Sequence, residues 1–374
     1  MFAVTREELR ALIEVALGRA KADLVVVNGR LVNVYSGEVQ QGVTVAIKGR
    51  RIAYVGAGCE HTIGPETERL DAAGAYLVPG LIDAHTHQAE LLQLTEFVRV
   101  AAPHGTTTVV TETNGLANAM GAAGVQAFLE ECRHQPIKVF ITAPGMVPPF
   151  PHLEGSRRLD LDEFTAILDD ERTLGMGESF WPRVLVADDS ILERLRRCLN
   201  AGKEPEGHAA GARRERLQAY AAAGISSCHE SISPEDALER LRLGLHVMLR
   251  EGSIRQDLAG IAPLKDAPVD TRRLILVTDT TWPGELVADG HMDHVVRRAV
   301  ALGFDPVRAV QMATLNAAEH FGLKHLGGIA PGKIADLLLV DDLRAFRARV
   351  VLSDGRLLAR DGRLLQELPR FSYA

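Results

Sequence analysis

The residues best suited to chemistry begin with His85 and His87, which end the run Pro79-Gly80-Leu81-Ile82-Asp83-Ala84-His85-Thr86-His87. Side chains alternate across a strand, so imidazoles two residues apart leave one face and can share a divalent ion. With 13 histidines in 374 residues, a His-x-His pair arises by chance roughly 0.5 times, so the bare pair carries little. Its setting carries more. A Pro-Gly turn, two apolar residues and an Asp precede it, and four further metal-binding side chains follow at the ends of apolar or glycine-bounded runs. These are Glu178 in Gly175-Met176-Gly177-Glu178, His208 in Gly207-His208-Ala209, His229 in Cys228-His229-Glu230 and Asp279 in Leu276-Val277-Thr278-Asp279.

Four imidazoles and two carboxylates are enough for two divalent ions, with one carboxylate bridging. Ions about 3.5–4 Å apart can hold a water between them and lower its pKa toward neutrality, which is hydrolytic chemistry. Asp279 is then the base that takes the water's proton and returns it to a departing nitrogen. Each residue also has a plainer reading: a solvated loop acid for Glu178, a surface imidazole for His208, an N-cap for Asp279. For His104, His134, His152 and His325 the plain reading stands. His246 reads as part of a strand, and His291 and His294 as residues near a helix start. No phosphate-cradling glycine loop of the Walker or dinucleotide type is present.

The elements that must position these groups follow from periodicity. Thr5 and Glu8 have capping-box spacing, and Leu9, Leu12, Ile13, Ala16 and Ala20 recur at helical intervals, which predicts a helix over 6–20. Short β-rich runs follow, at Leu24 to Val27, Leu31 to Tyr35, Val43 to Ile47 and Ile52 to Val55, and read as a small antiparallel sheet. The same texture returns at Ala335 to Val340, Arg349 to Ser353 and Leu357 to Ala359, so the two ends are expected to build one small β-sandwich domain. Between them, strand-length apolar runs alternate with helix-length segments, with strand ends near His85, Thr111, Thr142, Glu178, His208, Cys228, Leu249 and Thr278. Eight βα units in about 245 residues predict a closed (β/α)8 TIM-like barrel, a doubly wound open sheet being the alternative. The expected division is residues 1–79 and 325–374 for the β domain and 80–324 for the barrel.

Composition narrows the function classes. The net charge of −7 is spread without a basic block or acidic tail, which argues against nucleic acid and for a small-molecule substrate. Cys59, Cys132, Cys198 and Cys228 show no Cys-x-x-Cys spacing and no disulfide framework, as expected of a reducing cytoplasm. Glu7, Glu8 and Glu14 and the absence of a long apolar run predict neither secretion nor a membrane partner.

These residues resemble the amidohydrolase superfamily, through the Pro79 to His87 run, Ala313-Thr314-Leu315-Asn316-Ala317-Ala318 and Pro331-Gly332-Lys333-Ile334-Ala335-Asp336-Leu337. Within it they look most like the adenine deaminases, through Gly105-Thr106-Thr107-Thr108-Val109-Val110, Gly207-His208-Ala209, His229-Glu230, Val247 to Ser253 and Gly290 to Ala299. The resemblance implies a binuclear centre of manganese, iron or zinc held by His85, His87, Glu178, His208, His229 and Asp279. Glu178 stands where many relatives use a carboxylated lysine. It implies hydrolytic loss of ammonia from C6 of adenine, with Asp279, Glu230 and Glu178 catalytic and with Glu112, Asn114, Arg250, Glu251, Ser253 and Trp282 near the substrate. Arg250 and Glu251 read equally well as a strand-end ion pair. A homo-oligomer is also implied.

Departures from the family pattern surround the substrate. The family's Asp-Pro-His-Glu appears here as Glu112-Thr113-Asn114-Gly115, and its Thr-Asp-Asp-Arg-His-Pro as Thr278-Asp279-Thr280-Thr281-Trp282-Pro283. Family members continue into a substantial C-terminal domain, whereas this chain closes at Ala374, soon after the expected β domain. The alternatives are cyclic amide or imide opening on the same machinery and a non-catalytic scaffold.

Overall fold

A computed structural model describes residues 2–372; Met1, Tyr373 and Ala374, at the outer limits of the expected end segments, lie outside the described residues. The helix α1 spans Arg6–Ala16, with Thr5 and Glu8 capping each other reciprocally. It stops short of residue 20 because Gly18 enters the left-handed region (φ 74°) and turns the chain.

The chain divides into two compact units. The first comprises Met1–Ile82, Arg99–Thr107 and Gly290–Glu367. Its nine-stranded sheet contains β1 (Leu24–Asn33), β2 (Glu38–Lys48), β3 (Arg51–Gly56), β4 (Glu68–Asp71) and β5 (Tyr76–Pro79). From the other end of the chain come the remaining strands of that sheet, Leu337–Val340, Ala348–Ser353, Arg356–Arg360 and Arg363–Leu364. The two expected runs at Leu24 and Leu31 are one strand, because Asn28 (φ 58°) and Gly29 form an irregularity that bends the ladder without ending it. The sheet is mixed and not purely antiparallel: β4 and β5 run parallel to β1. It curls back on itself, since Arg51 bridges Ile334 and Arg50 pairs with Asp354, enclosing a core that includes Val45, Ile47, Leu77, Leu337 and Leu352.

The second unit comprises Asp83–Val98, Thr108–Asp289 and Leu368–Ala374. Eight parallel strands run β6 (Leu81–Thr86), β7 (Thr106–Thr111), β8 (Lys138–Ala143), β9 (Thr173–Phe180), β10 (Glu204–His208), β11 (Ser227–Cys228), β12 (His246–Arg250) and β13 (Leu274–Val277). Most carry continuous buried runs, as parallel strands covered on both faces must. The first five pair in sequence order, as do the last three. Ser226 N donates to Pro205 O between β10 and β11, and Thr86 bridges Asp279 in parallel sense, so the ring closes into a (β/α)8 barrel.

Closure at the β6 to β13 seam is fixed by side chain as well as backbone. Buried Asp83 accepts from Thr278 N (3.2 Å) and from Thr278 Oγ1 (2.6 Å), at the floor of the strand ends where His85 and Asp279 emerge.

In the first unit, a buried carboxylate fixes the start of the helix Met292–Ala301. Asp293 accepts from His291 N (2.9 Å), from His104 Nδ1 (3.1 Å) and from Arg297 (2.6 Å). Burial opposes its ionisation, but His104 and Arg297 outweigh that and hold its pKa below the carboxylate value. A carboxylate whose folded pKa is depressed stabilises above its unfolded value and loses that stability as pH falls through the folded one. Asp293→Ala is therefore expected to cost about 3 kcal/mol at pH 7. In urea titrations that deficit should shrink below about pH 4, as the unfolded wild type takes up its proton.

Candidate metal centre and cleft

Six side chains from five strand ends converge in the second unit. One ligand atom from each of His85, His87, Glu178 and Asp279 lies within 4.8 Å of every other, and the same holds for Glu178, His208 and His229. Glu178 is common to both groups. Its Oε1 stands 3.5 Å from His87 Nε2, 3.8 Å from His85 Nε2, 3.0 Å from His208 Nδ1 and 3.2 Å from His229 Nε2. Asp279 Oδ1 faces His85 Nε2 at 3.4 Å and His87 Nε2 at 3.5 Å. Local backbone explains the convergence. Asp279 N donates to His85 O (3.0 Å) and His87 N to Asp279 O (2.7 Å), so Asp279 is stapled between the two histidines at φ 61°.

The donor set fits divalent ions. His85 Nε2 is buried with no hydrogen-bond partner, 3.4 Å from Asp279 Oδ1 and 3.8 Å from Glu178 Oε1. The acids also call for positive charge at the centre. Burial opposes protonation of His87, yet Glu178 and Glu90 outweigh it and push its pKa up to about 12. At His85 burial is likewise outweighed, by Asp279, Glu112 and Glu178, which raise it to about 9. His229 goes the other way, to about 4, because burial and the neighbouring His85 disfavour its charge. Glu178 lies well below the carboxylate range despite its burial, held there by His208, His229 and His87. Asp279 is lowered likewise, its burial overcome by His85 and the other imidazoles.

Other expected residues divide into two groups. Glu230 and Arg250 line the cleft, and Arg250 donates to Glu230 Oε1 (2.7 Å), to Asp279 Oδ2 (3.3 Å) and to Asp257 (2.9 Å). Its partners are thus these three acids, and the expected strand-end pair with Glu251 is not the arrangement. Trp282 lines the same cleft and is 47% exposed. Glu112, Asn114, Glu251 and Ser253, expected at the substrate, are not among the lining residues. Glu112 is 1% exposed and turns inward, accepting from Glu178 N (3.3 Å), and burial pushes its pKa up to about 7. Asn114 opens the helix Asn114–Arg133 with its amide atoms buried. Glu251 is buried beside the turn it bridges to Gln256. Ser253 accepts from Trp282 N (2.7 Å) and donates to Glu285, so it positions the tryptophan from behind.

The cleft of about 530 Å³ adds residues that sequence reasoning did not select: Glu90, Leu91, Ala210, Ile254, Arg255 and Thr280. Glu90 had a usable signal. It follows His87 by three residues, and a turn of helix there brings it back beside the imidazole.

A profile of the amidohydrolase family matches residues 76–358. The chain belongs to the amidohydrolase family. It is 43% identical over 368 residues to "Adenine deaminase 3" of Rhizobium meliloti (strain 1021), covering 97% of this chain and 62% of that protein. It is 44% identical over 373 residues to the adenine deaminase of Moorella thermoacetica, covering 98% and 62%. The chain thus spans about three-fifths of the length of these curated relatives. Among solved structures, a β-aspartyl dipeptidase from Fervidobacterium islandicum AW-1 superposes with TM-score 0.69 at 20% identity, covering 94% of this chain and all 100% of that one. An adenosine deaminase from Xanthomonas campestris with bound zinc gives 0.68 at 18% identity, covering 93% and 95%. These two share the fold of this chain.

Because Glu178 serves both ligand groups, Glu178→Gln in this amidohydrolase should weaken metal retention at both together. At least about a tenfold loss is expected, measured as metal remaining after gel filtration. Full retention would remove Glu178 from the centre.

Proposed function

We propose that this chain carries the hydrolytic machinery of an aminopurine deaminase, releasing ammonia from C6 of adenine or a related ring. The observation that carries the reading is the sharing of Glu178 Oε1 by four imidazoles beside Asp279, a cage that suits two divalent ions of manganese, iron or zinc. The names of relatives above 40% identity support the substrate class. Residues 80–324 are taken as the hydrolase barrel, framed by 1–79 and 325–374. A homo-oligomer in the cytoplasm completes the proposal; four free, buried cysteines suit a reducing compartment. No helix among the described residues is long and apolar enough to cross a membrane.

When bound, a divalent pair supplies Lewis acidity and a water that ionises near neutral pH. His85, His87, Glu178, His208, His229 and Asp279 would hold it. Asp279 is kept ionised by the imidazoles and by Arg250, so it is ready to accept the proton of the attacking water at Oδ2 and to deliver it to the departing nitrogen. Arg250 fixes Asp279 and Glu230 relative to each other, and Glu230, oriented at the cleft wall, accepts an N–H of the ring. Leu91, Ile254 and Trp282 offer apolar faces for a planar heterocycle.

Cyclic amide opening is the second reading, favoured by one observation: the cleft wall carries Thr280 where the resembled family places a second acid. Ammonia release separates the two. Metal-loaded protein should liberate ammonia from adenine or another aminopurine; release from none of them, with hydrolysis of a cyclic amide instead, would make the deaminase assignment wrong. Asp279→Asn should lower kcat by about 10²–10⁴.

A further inference from the structure

Each imidazole at the front of the cage has a second ring nitrogen, and two of these face carboxylates that lie outside the ligand set. His87 turns Nε2 toward Glu178 and Asp279, while its Nδ1 stands 3.4 Å from Glu90 Oε2. His85 turns Nε2 toward the same two acids, while its Nδ1 stands 3.7 Å from Glu112 Oε1. Both outer acids are anchored by their other oxygen to a backbone N–H: Glu90 Oε1 accepts from Gly115 N (2.7 Å) and Glu112 Oε2 from Glu178 N (3.3 Å).

Both also occupy space that a glycine leaves open. A Cβ at Gly115 would stand 2.6 Å from the Glu90 carboxyl carbon and 2.7 Å from its Oε1. A Cβ at Gly177 would stand 2.1 Å from Glu112 Oε2. Gly115 does not have a positive φ, so the backbone conformation does not require glycine there. Room for the Glu90 carboxylate is what does.

We infer that Glu90 is a positioning residue, the acceptor that faces the rear nitrogen of His87 and so fixes which nitrogen that imidazole presents to the cage. A neutral imidazole with its proton on the rear nitrogen leaves the front lone pair free for a cation, and an acceptor behind it sets both the tautomer and the ring angle. For Glu90 this explains three facts at once: the length of its reach back from the turn after β6, the N–H that anchors it, and the missing side chain at residue 115.

The inference rests on the cage holding metal, and metal affinity tests it without any assay of turnover. Apparent affinity for Mn²⁺ would be measured by competition with a chelating dye for the wild type, E90Q, G115A and the double variant. Thermal unfolding of the metal-stripped proteins would be measured alongside. E90Q is expected to bind about 10–100-fold more weakly, the range typical for loss of an acceptor behind a metal-binding histidine. G115A should move affinity the same way, because its methyl group displaces the end of a flexible side chain without altering its charge. The double variant should be little worse than E90Q alone, since both changes remove one interaction. Metal-stripped unfolding should be unchanged in each.

E90Q binding within about twofold of wild type would overturn the inference, and if E90Q does not fold, G115A binding within that margin does so. A wild type that takes up no Mn²⁺ would overturn the metal reading and this inference with it. A wild type that binds beside an E90Q that binds equally well overturns this inference alone.

Discussion

The geometry of the centre depends on the backbone of one residue. Asp279 donates its N–H to His85 O and accepts the N–H of His87 at its own carbonyl, which closes β13 against β6 and sets three ligand side chains in one operation. The cost is a left-handed conformation at a residue other than glycine, about 1–2 kcal/mol. Two backbone hydrogen bonds contribute about 1 kcal/mol each, enough to offset the strain. Asp83 below them adds buried bonds to Thr278. Glycine at 279 would relieve the strain and lose the carboxylate, so the residue reconciles a turn with a ligand.

Charge is the second constraint. Glu178, Asp279, Glu112 and Glu230 crowd one end of the barrel with Arg250 and four imidazoles as the compensating groups. Removing one partner from such a set leaves a buried charge uncompensated, which costs about 3–5 kcal/mol. Burial opposes positive charge at both His87 and His229; at His87 the acids Glu178 and Glu90 outweigh it and raise the pKa to about 12, while at His229 the neighbouring His85 adds to it and the pKa falls to about 4. Divalent ions answer that demand with fixed geometry where shared protons would not.

The barrel and the six side chains that converge at its strand ends were legible because they rest on local pattern. Buried parallel strands are apolar runs, their ends were marked by the first polar residue, and side chains at those ends need no long-range information to be found. The capping box of α1 was legible for the same reason. What escaped depends on residues distant in the chain. Asn28 and Gly29 looked like a turn, and only pairing with β2, β4 and β5 shows one continuous strand. The resemblance placed Glu112 near the substrate, yet it turns inward, with its Oε2 in space that Gly177, from β9, leaves open. Arg250 was ambiguous between substrate and ion pair until Glu230, Asp257 and Asp279 were brought beside it.

Cage and cleft differ in how firmly each is held, and this explains where the chain departs from the pattern it otherwise follows. His85, Glu178, His229 and Asp279 are all buried to within 8% and sit on strands or bonded to them, so substitution there propagates into barrel closure. The cleft walls are otherwise: Ile254 is 56% and Trp282 47% exposed, both on loops. Exposed loop positions tolerate exchange at within about 0.5 kcal/mol, whereas buried charged ones do not. Trp282 can therefore differ from the family pattern while all six side chains of the cage are kept. Burial fixes the side chains of the cage, and exposure leaves the apolar wall of the cleft free to vary.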